Sequence, residues 1–552
     1  MVRATFSGFN TALSALQANQ KRLDITGQNL SNMNTAGYTR QQLEASSLNY
    51  TNPVSHYSNG NETAVGFGVS MDRVSQIRDP YLDIQYRSQS ADCSYTNRLQ
   101  TALNSLSKVL DETTISGIRQ AFDDVQSTLT SMQDPAKVSD PIYESELRTK
   151  MQSVCNLFNQ ASRQITQAEQ NEFQRLTGEG SSEQGDVQKI NDILRQIGDL
   201  NVQIKRNQVA GHPSLELQDE RNLLLDELSG YIPIETRYYK DDAHSGNNAY
   251  DYDANGAVIG KKDWPDDLEV SMNYIDAQGK SQKLILVNGS DLGADGLKKN
   301  YGQLSVLNGA HQAAASVSNP ADISIKFEKA PSGPAATNDV YAELKGIHFE
   351  GGSLQASLDM LQKKGTGNVI NGSVDDVRGY QYYSGKLDQL ASTFAESMND
   401  INNGKKHTDK NLLSNSTDDS TTGITAGNIG ISKGWTSGTV HISTNGTNRT
   451  DTVLDMIAAM KDTKKLNGKT FADYMNNLST QLASDSSSNQ TALKTGTTVL
   501  NSIQDSRDSL SGVSLDEEAT NMMAYVSAYN AASRLMTALD EVLNTLISNT
   551  GA

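Results

Sequence analysis

The histidines are the residues in this sequence whose type best suits catalysis or metal binding. The closest pair, His212 and His244, lies 32 residues apart, so no local metal or histidine-base motif is present. No nucleophile elbow, P-loop or cysteine cluster accompanies the seven histidines, which are His56, His212, His244, His311, His348, His407 and His441. The sequence therefore predicts no catalytic, cofactor-binding or metal-binding residue, no cofactor and no enzymatic activity.

Residues 251–256, DYDANG, match the first half of a calcium-binding loop. The twelfth position of that loop is Lys262, where calcium requires a bidentate carboxylate. A β-hairpin turn built on Asn255 and Gly256 explains the same residues, and we favour it. The next acidic cluster surrounds Trp264 and Pro265 and is expected to be a solvated turn; its members are Asp263, Asp266 and Asp267.

The two cysteines and the net charge restrict the class of protein further. Cys93 and Cys155 lie in helix-like stretches, and we expect free thiols that pack as small hydrophobic groups, with a single bridge as the alternative. A net charge of -18 opposes binding to nucleic acid or to anionic membranes. The start of the chain has no apolar region typical of a cleaved signal, so export would use another route.

The chain begins with a helical pattern that we expect to form an assembly seam. A heptad stripe of apolar residues runs along it at Phe6, Phe9, Leu13, Leu16, Leu23 and Leu30. The helix should stop in the Asn- and Gly-rich run at 32–38, because these residues tolerate the left-handed conformation. Residues 40–78 then alternate as expected for a hairpin.

The middle of the chain alternates between helical and β-like texture. A period of 3.6 residues runs from Pro80 to about Leu228 and returns at 387–401 and after Thr452. Short β-branched runs occupy 236–345, and a polar, Gly- and Thr-rich β-like segment occupies 403–450. A chain of 552 residues should form two to four domains.

The C-terminal helix has the clearest pattern. Ser514 is the expected N-cap, and Glu517 should complete a reciprocal capping box. The a and d positions continue the seam at Leu515, Met522, Tyr525, Tyr529, Ala532, Met536, Leu539, Leu543 and Leu546, broken only by Glu518, and the g positions Ala528, Leu535 and Val542 add a second stripe. One partner helix cannot cover so wide an apolar face. An ordinary intramolecular helix pair is the alternative.

Both termini resemble the flagellar axial proteins. Residues 28–41, QNLSNMNTAGYTRQ, are similar to the asparagine-rich signature of rod, hook and junction proteins, and the ending GYTRQ favours the hook-filament junction members. Residues 507–519, RDSLSGVSLDEEA, resemble the C-terminal signature of the same family. Matches in the same order are 66–69, Arg78 with Asp79, 217–229 and 351–354.

The resemblance implies a multidomain α+β fold. Its parts would be a coiled-coil inner assembly domain from 1–78 and 510–552, a mainly helical middle domain from 79–235 and 346–509, and an inserted β-rich outer domain at 236–345. It implies a secreted, extracellular structural subunit exported by the flagellar type III apparatus. A chain threaded unfolded through a channel should carry few cysteines, as this one does.

The same resemblance supplies the expected partners. They are other copies in a ring, the hook protein, the next hook-associated protein or the filament, and a cytoplasmic export chaperone on the C-terminal helix; neither nucleic acid nor membrane is expected. Three alternatives remain at this stage: another flagellar axial protein such as flagellin, a surface protein whose insertion at 236–345 acts as an adhesin, and a cell-wall hydrolase.

Overall fold

The structure, a computed structural model, describes most of the 552 residues. The described ranges are 7–48, 68–110, 112–179, 181–210, 212–240, 250–252, 258–261, 266–275, 280–289, 299–308, 320, 323–328, 341–344, 349–370, 373–404, 410–444 and 447–550. Within them the fold is mostly helical, with small antiparallel sheets. None of the helices in these ranges is both long enough and apolar enough to cross a membrane.

The helices and strands have the following bounds in chain order. The helices are α1 (Ser7–Ser31), α2 (Pro80–Val109), α3 (Glu112–Ser131), α4 (Pro141–Thr177), α5 (Asp186–Val209), α6 (Leu215–Tyr231), α7 (Ser353–Gln362), α8 (Tyr380–Asn403), α9 (Lys433–Thr436), α10 (Asp451–Met460), α11 (Phe471–Ser511) and α12 (Leu515–Thr550). The strands are β1 (Gln41–Ser47), β2 (Val69–Gln76), β3 (Glu235–Lys240), β4 (Tyr250–Tyr252), β5 (Val258–Lys261), β6 (Asp266–Ile275), β7 (Ser281–Asn288), β8 (Gln303–Asn308), β9 (Ile323–Glu328), β10 (Tyr341–Leu344), β11 (Val369–Ile370), β12 (Ser373–Val374), β13 (Leu413–Asn415) and β14 (Ile429–Ile431).

The helical core lies among α3, α4, α8 and the start of α11. Phe122 packs edge-to-face on Phe158 and Phe394, with ring centroids 5.9 and 5.2 Å apart, and Phe471 closes the cluster against Phe394 at 5.6 Å. All four side chains are buried. Such aromatic contacts add to the hydrophobic burial that stabilises this part of the chain.

Strands β6, β7 and β8, among those described between 235 and 344, pack against helix α5. The strands described in this range form two three-stranded sheets, β3-β6-β7 and β8-β9-β10, and a separate pair, β4-β5. Asn201 on α5 donates hydrogen bonds to the carbonyl oxygens of Leu268 (3.2 Å) and Gly289 (3.1 Å), and Asn191 binds the backbone of Leu304. The buried side chains of these strands belong to the same hydrophobic cluster as those of the helices. A separate outer domain at 236–345 stays a prediction.

The segment predicted as β-like at 403–450 contains little strand where the structure describes it. Strands β13 and β14 have three residues each and pair only with each other, and the short helix α9 follows them. Turns connect them, and Asn399 on α8 holds these turns by accepting from the backbone N–H groups of Leu412 and Leu413. The polar composition of this segment therefore reflects turns rather than an extended sheet.

A buried ionic cluster joins the terminal elements to the helical domain. Nη2 of Arg507, on α11, lies 3.0 Å from Oδ1 of Asp83 on α2 and 2.8 Å from Oδ2 of Asp226 on α6. Arg87 also pairs with Asp226, at 2.8 Å. Backbone N–H and side-chain O–H of Thr39 donate to Asp219, at 3.1 and 2.6 Å. The loop after α1 is thus fixed to α6.

Because Asp219 is titratable, the stability of the contact between Thr39 and Asp219 depends on pH. Burial raises the pKa of Asp219 to about 6, although the hydrogen bonds from Thr39 and the nearby charge of Arg78 lower it. An unfolded Asp titrates near 3.9, so the folded state binds the proton more tightly. The contribution of this group to the free energy of unfolding is therefore complete below about pH 4 and lost as the pH rises through about 6.

We expect Asp219→Asn to remove this pH dependence, because the amide cannot ionise but can still pair with Thr39. Relative to the variant, the natural chain should lose on the order of 1–2 kcal/mol of unfolding free energy between pH 4 and pH 7. Urea unfolding of both proteins at one-unit pH intervals measures the difference. Parallel stability curves would show that Asp219 titrates normally in the folded chain.

Candidate functional site

The candidate site is the terminal unit, which we define as α1, the β1-β2 hairpin and α12. The two helices run antiparallel: Leu539 lies beside Gly8, and the Arg22 guanidinium lies over the Tyr525 ring at 5.6 Å. Strands β1 and β2 pair antiparallel, with Gln41 opposite Gln76 and Ser47 opposite Val69. Elements from the two ends of a 552-residue chain therefore form one structural unit.

Most of the predicted seam residues lie at or near the contact between α1 and α12. Ala532 is buried, and the partly buried seam residues are Phe9, Leu16, Leu23, Leu30, Met522, Tyr525, Tyr529, Met536, Leu539 and Leu543. Two predicted seam residues are exposed in the single chain: Leu13 is 46% exposed and Leu515 is 54% exposed. Phe6 and the side chain of Leu546 lie outside the described residues.

Small and polar residues, rather than the leucine stripe, fill the buried faces of α1. Ala12 and Ala18 are almost completely buried, as are Asn19, Thr26 and Asn29. Gly8 also lies at the contact, where an added Cβ would come within 3.3 Å of the Leu539 side chain. Small side chains let neighbouring backbone approach α1 closely. In the sequence, the small residues that recur along α1 were the signal that could have predicted this buried face.

Asn29, one of the asparagines of the N-terminal signature, has a structural role. Its Nδ2 donates to the Gln41 carbonyl oxygen at 3.0 Å, and its Oδ1 accepts from the Gln41 N–H at 3.0 Å and from the Tyr38 hydroxyl at 2.9 Å. This buried amide therefore fixes the end of α1 to the start of β1. Burial, together with the nearby carboxylates Glu216 and Asp219, raises the pKa of Tyr38.

Two glycines place the turn and the hairpin against α1. Gly37 has φ +77°, so the left-handed turn expected after α1 is formed. Gly68 has φ +115° and lies where a Cβ would collide with the Ser14 side chain. The next residue, Val69, donates its N–H to Ser14 Oγ at 3.2 Å. A side chain at position 68 would push β2 away from α1.

The reciprocal capping box predicted for α12 is replaced by a longer-range ion pair. The Glu517 carboxylate pairs with Arg40, in the loop before β1, and the Arg40 N–H donates to the Ser511 carbonyl oxygen at 2.8 Å. The described structure contains no side-chain hydrogen bond from Ser514. Glu518, predicted to break the seam, is buried near Arg40 and Glu517. Arg40 therefore connects the two termini at the start of α12.

The residues considered for chemistry do not converge in the part of the chain that the structure describes. Nδ1 of His441 lies 3.1 Å from the Glu144 carboxylate, and His212 is exposed elsewhere; the other five histidines lie outside the described residues. Cys93 and Cys155 are free and buried, and burial raises the pKa of the Cys155 thiol to about 12. Positions 253–257 and 262–265 are not described. No cluster of metal-ligating side chains occurs in the described ranges.

Three family models match the chain. "Flagellar hook-associated protein FlgK helical domain" matches residues 103–412, more than half of the chain. "Flagella basal body rod protein" matches residues 9–39, and "Flagellar basal body rod FlgEFG protein C-terminal" matches residues 506–549. The last two ranges coincide with α1 and its following turn, and with α12.

Similar proteins carry related names. Flagellar hook-associated protein 1 of Bacillus subtilis is 29% identical over 562 residues, covering 99% of each chain. The protein of that name from Salmonella typhimurium is 28% identical over 230 residues, covering 41% of this chain and 38% of its own length. The solved flagellar hook junction protein FlgK from Burkholderia pseudomallei has a TM-score of 0.38 and 18% identity, covering 60% of this chain and 45% of its own. Because the helical-domain model matches more than half of the chain, the chain belongs to the flagellar hook-associated protein FlgK family.

Proposed function

We propose that this protein is a structural subunit of the bacterial flagellum that joins hook to filament by polymerising through its terminal unit. The observation that carries the proposal is the antiparallel pairing of α1 and α12, which leaves much of the apolar surface of α12 open to solvent. Leu535 is 49% exposed and Val542 is 58% exposed. An apolar surface of this extent marks an interaction site.

The finer parts of the proposal follow from the same unit. Copies form a ring, with the hook protein on one side and the next hook-associated protein or the filament on the other. The protein is exported to the extracellular flagellum, and a cytoplasmic chaperone covers the C-terminal helix until then. The function is mechanical attachment, without a chemical reaction.

We expect Leu539→Asp to abolish filament attachment. Leu539 packs on Gly8, so an unpaired carboxylate there would be desolvated against α1, and the change also removes about 1.5–3 kcal/mol of leucine burial. The helical core, centred on Phe122, is remote in sequence and contains none of these side chains. Flagella from a strain with this variant should consist of hooks without filaments, by electron microscopy.

The matched control is Thr537→Asp, which places the same charge on the exposed side of α12. Cells with this control should swim normally. Limited proteolysis of both purified variants should yield the same resistant middle fragment, which separates loss of assembly from loss of folding. Full-length filaments on Leu539→Asp cells would show that the α1-α12 contact is not needed for assembly.

We also expect the chain lacking residues 515–552 to lose its chaperone. The exposed apolar residues of α12, which include Met523 at 67% and Ile547 at 64% exposure, need cover before export. In an export-blocked strain, the tagged full chain should copurify with one small protein at a fixed stoichiometry, and the truncated chain should not. Equal recovery of that protein with both chains would place the chaperone site elsewhere.

A further inference from the structure

The exposed part of α12 is a second, complete heptad stripe. It consists of Ala524, Ala528, Ala531, Leu535, Ala538 and Val542, at alternating spacings of four and three residues. All six are exposed, and none is charged. At 100° per residue, this outer stripe lies roughly 110° around the helix from the side chains that face α1. The same spacing forms the seam of a coiled coil, so the outer stripe is built to receive a neighbour.

A second open surface lies on α1 and the hairpin. It is a groove whose apolar lining residues are Leu13, Leu16, Leu43, Met71, Val74 and Tyr529, and whose polar lining residues are Gln17, Gln20, Lys21, Asp24 and Arg73. The groove has a volume of about 720 Å³. Leu13 is 46% exposed and Met71 43% exposed, so the leucine stripe of α1 is only partly used within the chain. We call this surface the α1 groove.

The outer stripe and the α1 groove match in length and in shape. The groove follows α1 from Leu13 to Asp24, about 16 Å of helix at 1.5 Å per residue. Leu535 and Val542 are two turns apart, about 10 Å, and fit within that length with Ala538 between them. The alanines allow the backbone of α12 to approach closely. No residue of the outer stripe lines the groove of its own chain.

We propose that the outer stripe of one copy packs into the α1 groove of the next copy. This inference rests on the proposed function and names the surfaces through which the copies join. A second copy is the occupant because both surfaces adjoin the α1-α12 contact: Tyr529 belongs to that contact and also lines the groove. Contact between two different surfaces leaves one of each free at the ends, so it propagates into a ring or a helix rather than closing as a dimer.

Cysteine cross-linking in assembled flagella tests this contact. One tagged copy carries Leu535→Cys, and a differently tagged copy in the same cell carries Leu13→Cys. The natural thiols of Cys93 and Cys155 are buried, so the introduced pair should dominate oxidation. We expect a covalent dimer that contains both tags. The double variant, with both changes in one chain, should give a ladder of covalent oligomers.

Met523→Cys is the matched control, because Met523 is an exposed apolar residue of α12 on the side away from the outer stripe. It should not cross-link to Leu13→Cys. Dimers from Leu535→Cys alone would mean that two outer stripes meet, and would overturn the inference. Absence of any dual-tag dimer from flagella that contain both copies would overturn it as well.

A separate readout tests the proposed function. If a deletion strain still builds filaments, that proposal fails, whatever the cross-links show. If either cysteine prevents assembly, motility of Leu535→Asp and Thr537→Asp strains decides instead, because Thr537 is an exposed polar residue of α12 outside the outer stripe. Loss of motility in the first strain alone supports the inference, and normal swimming of both, or loss in both, overturns it.

Discussion

The bridge formed by Arg507 is the interaction on which the position of the terminal unit depends. One guanidinium contacts Asp83 on α2 and Asp226 on α6, and lies 4.3 Å from the centre of the Tyr86 ring. A planar guanidinium can serve two carboxylates and an aromatic face together. Buried ion pairs contribute little net stability, because desolvation offsets their attraction. Their effect here is directional, because moving α11 relative to α2 and α6 separates both pairs. Only three residues lie between the end of α11 and the start of α12.

The contact between α2 and α11 also fixes the direction of α11, because polar side chains join the two helices. In α11 the last buried side chain is Leu482, and the helix continues to Ser511. Beyond Leu482, Asn489 Nδ2 donates to Thr96 O and to Gln100 Oε1, each at 2.9 Å. Gln100 in turn donates to Ser486 Oγ at 2.7 Å. Hydrogen bonds of this kind specify one register between the helices and add about 1 kcal/mol each to stability.

The sequence predicted the helical elements well, because the 3.6-residue period of each follows from its own buried face. It could not predict details that depend on contacts between distant segments. Periodicity located the leucines of α1, but the structure buries the small residues Ala12 and Ala18, and Leu13 is exposed in the single chain. The local spacing of Ser514 and Glu517 suggested a capping box, yet Arg40, which comes from the other end of the chain, takes the Glu517 carboxylate.

The sequence also could not predict how the strands between 235 and 344 pack on the helices. Their short β-branched runs were visible in the sequence, but the hydrogen bonds of Asn201 to Leu268 and Gly289 join residues 67 and 88 positions apart. An asparagine within a helical pattern is usually a surface residue. Here Asn201 is buried and also accepts from Arg221, at 2.7 Å. Only the fold shows that this amide satisfies strand carbonyl groups, and therefore that these strands share a core with α5.

Net charge sets the last constraint on association between copies. Each copy carries -18, so identical chains repel one another at long range. At physiological salt, charges separated by more than about 8 Å are largely screened, which leaves the composition of the contact itself to decide the outcome. The exposed stripe of α12 contains no charged side chain from Ala524 to Val542. Burial of this stripe therefore desolvates no charge of its own.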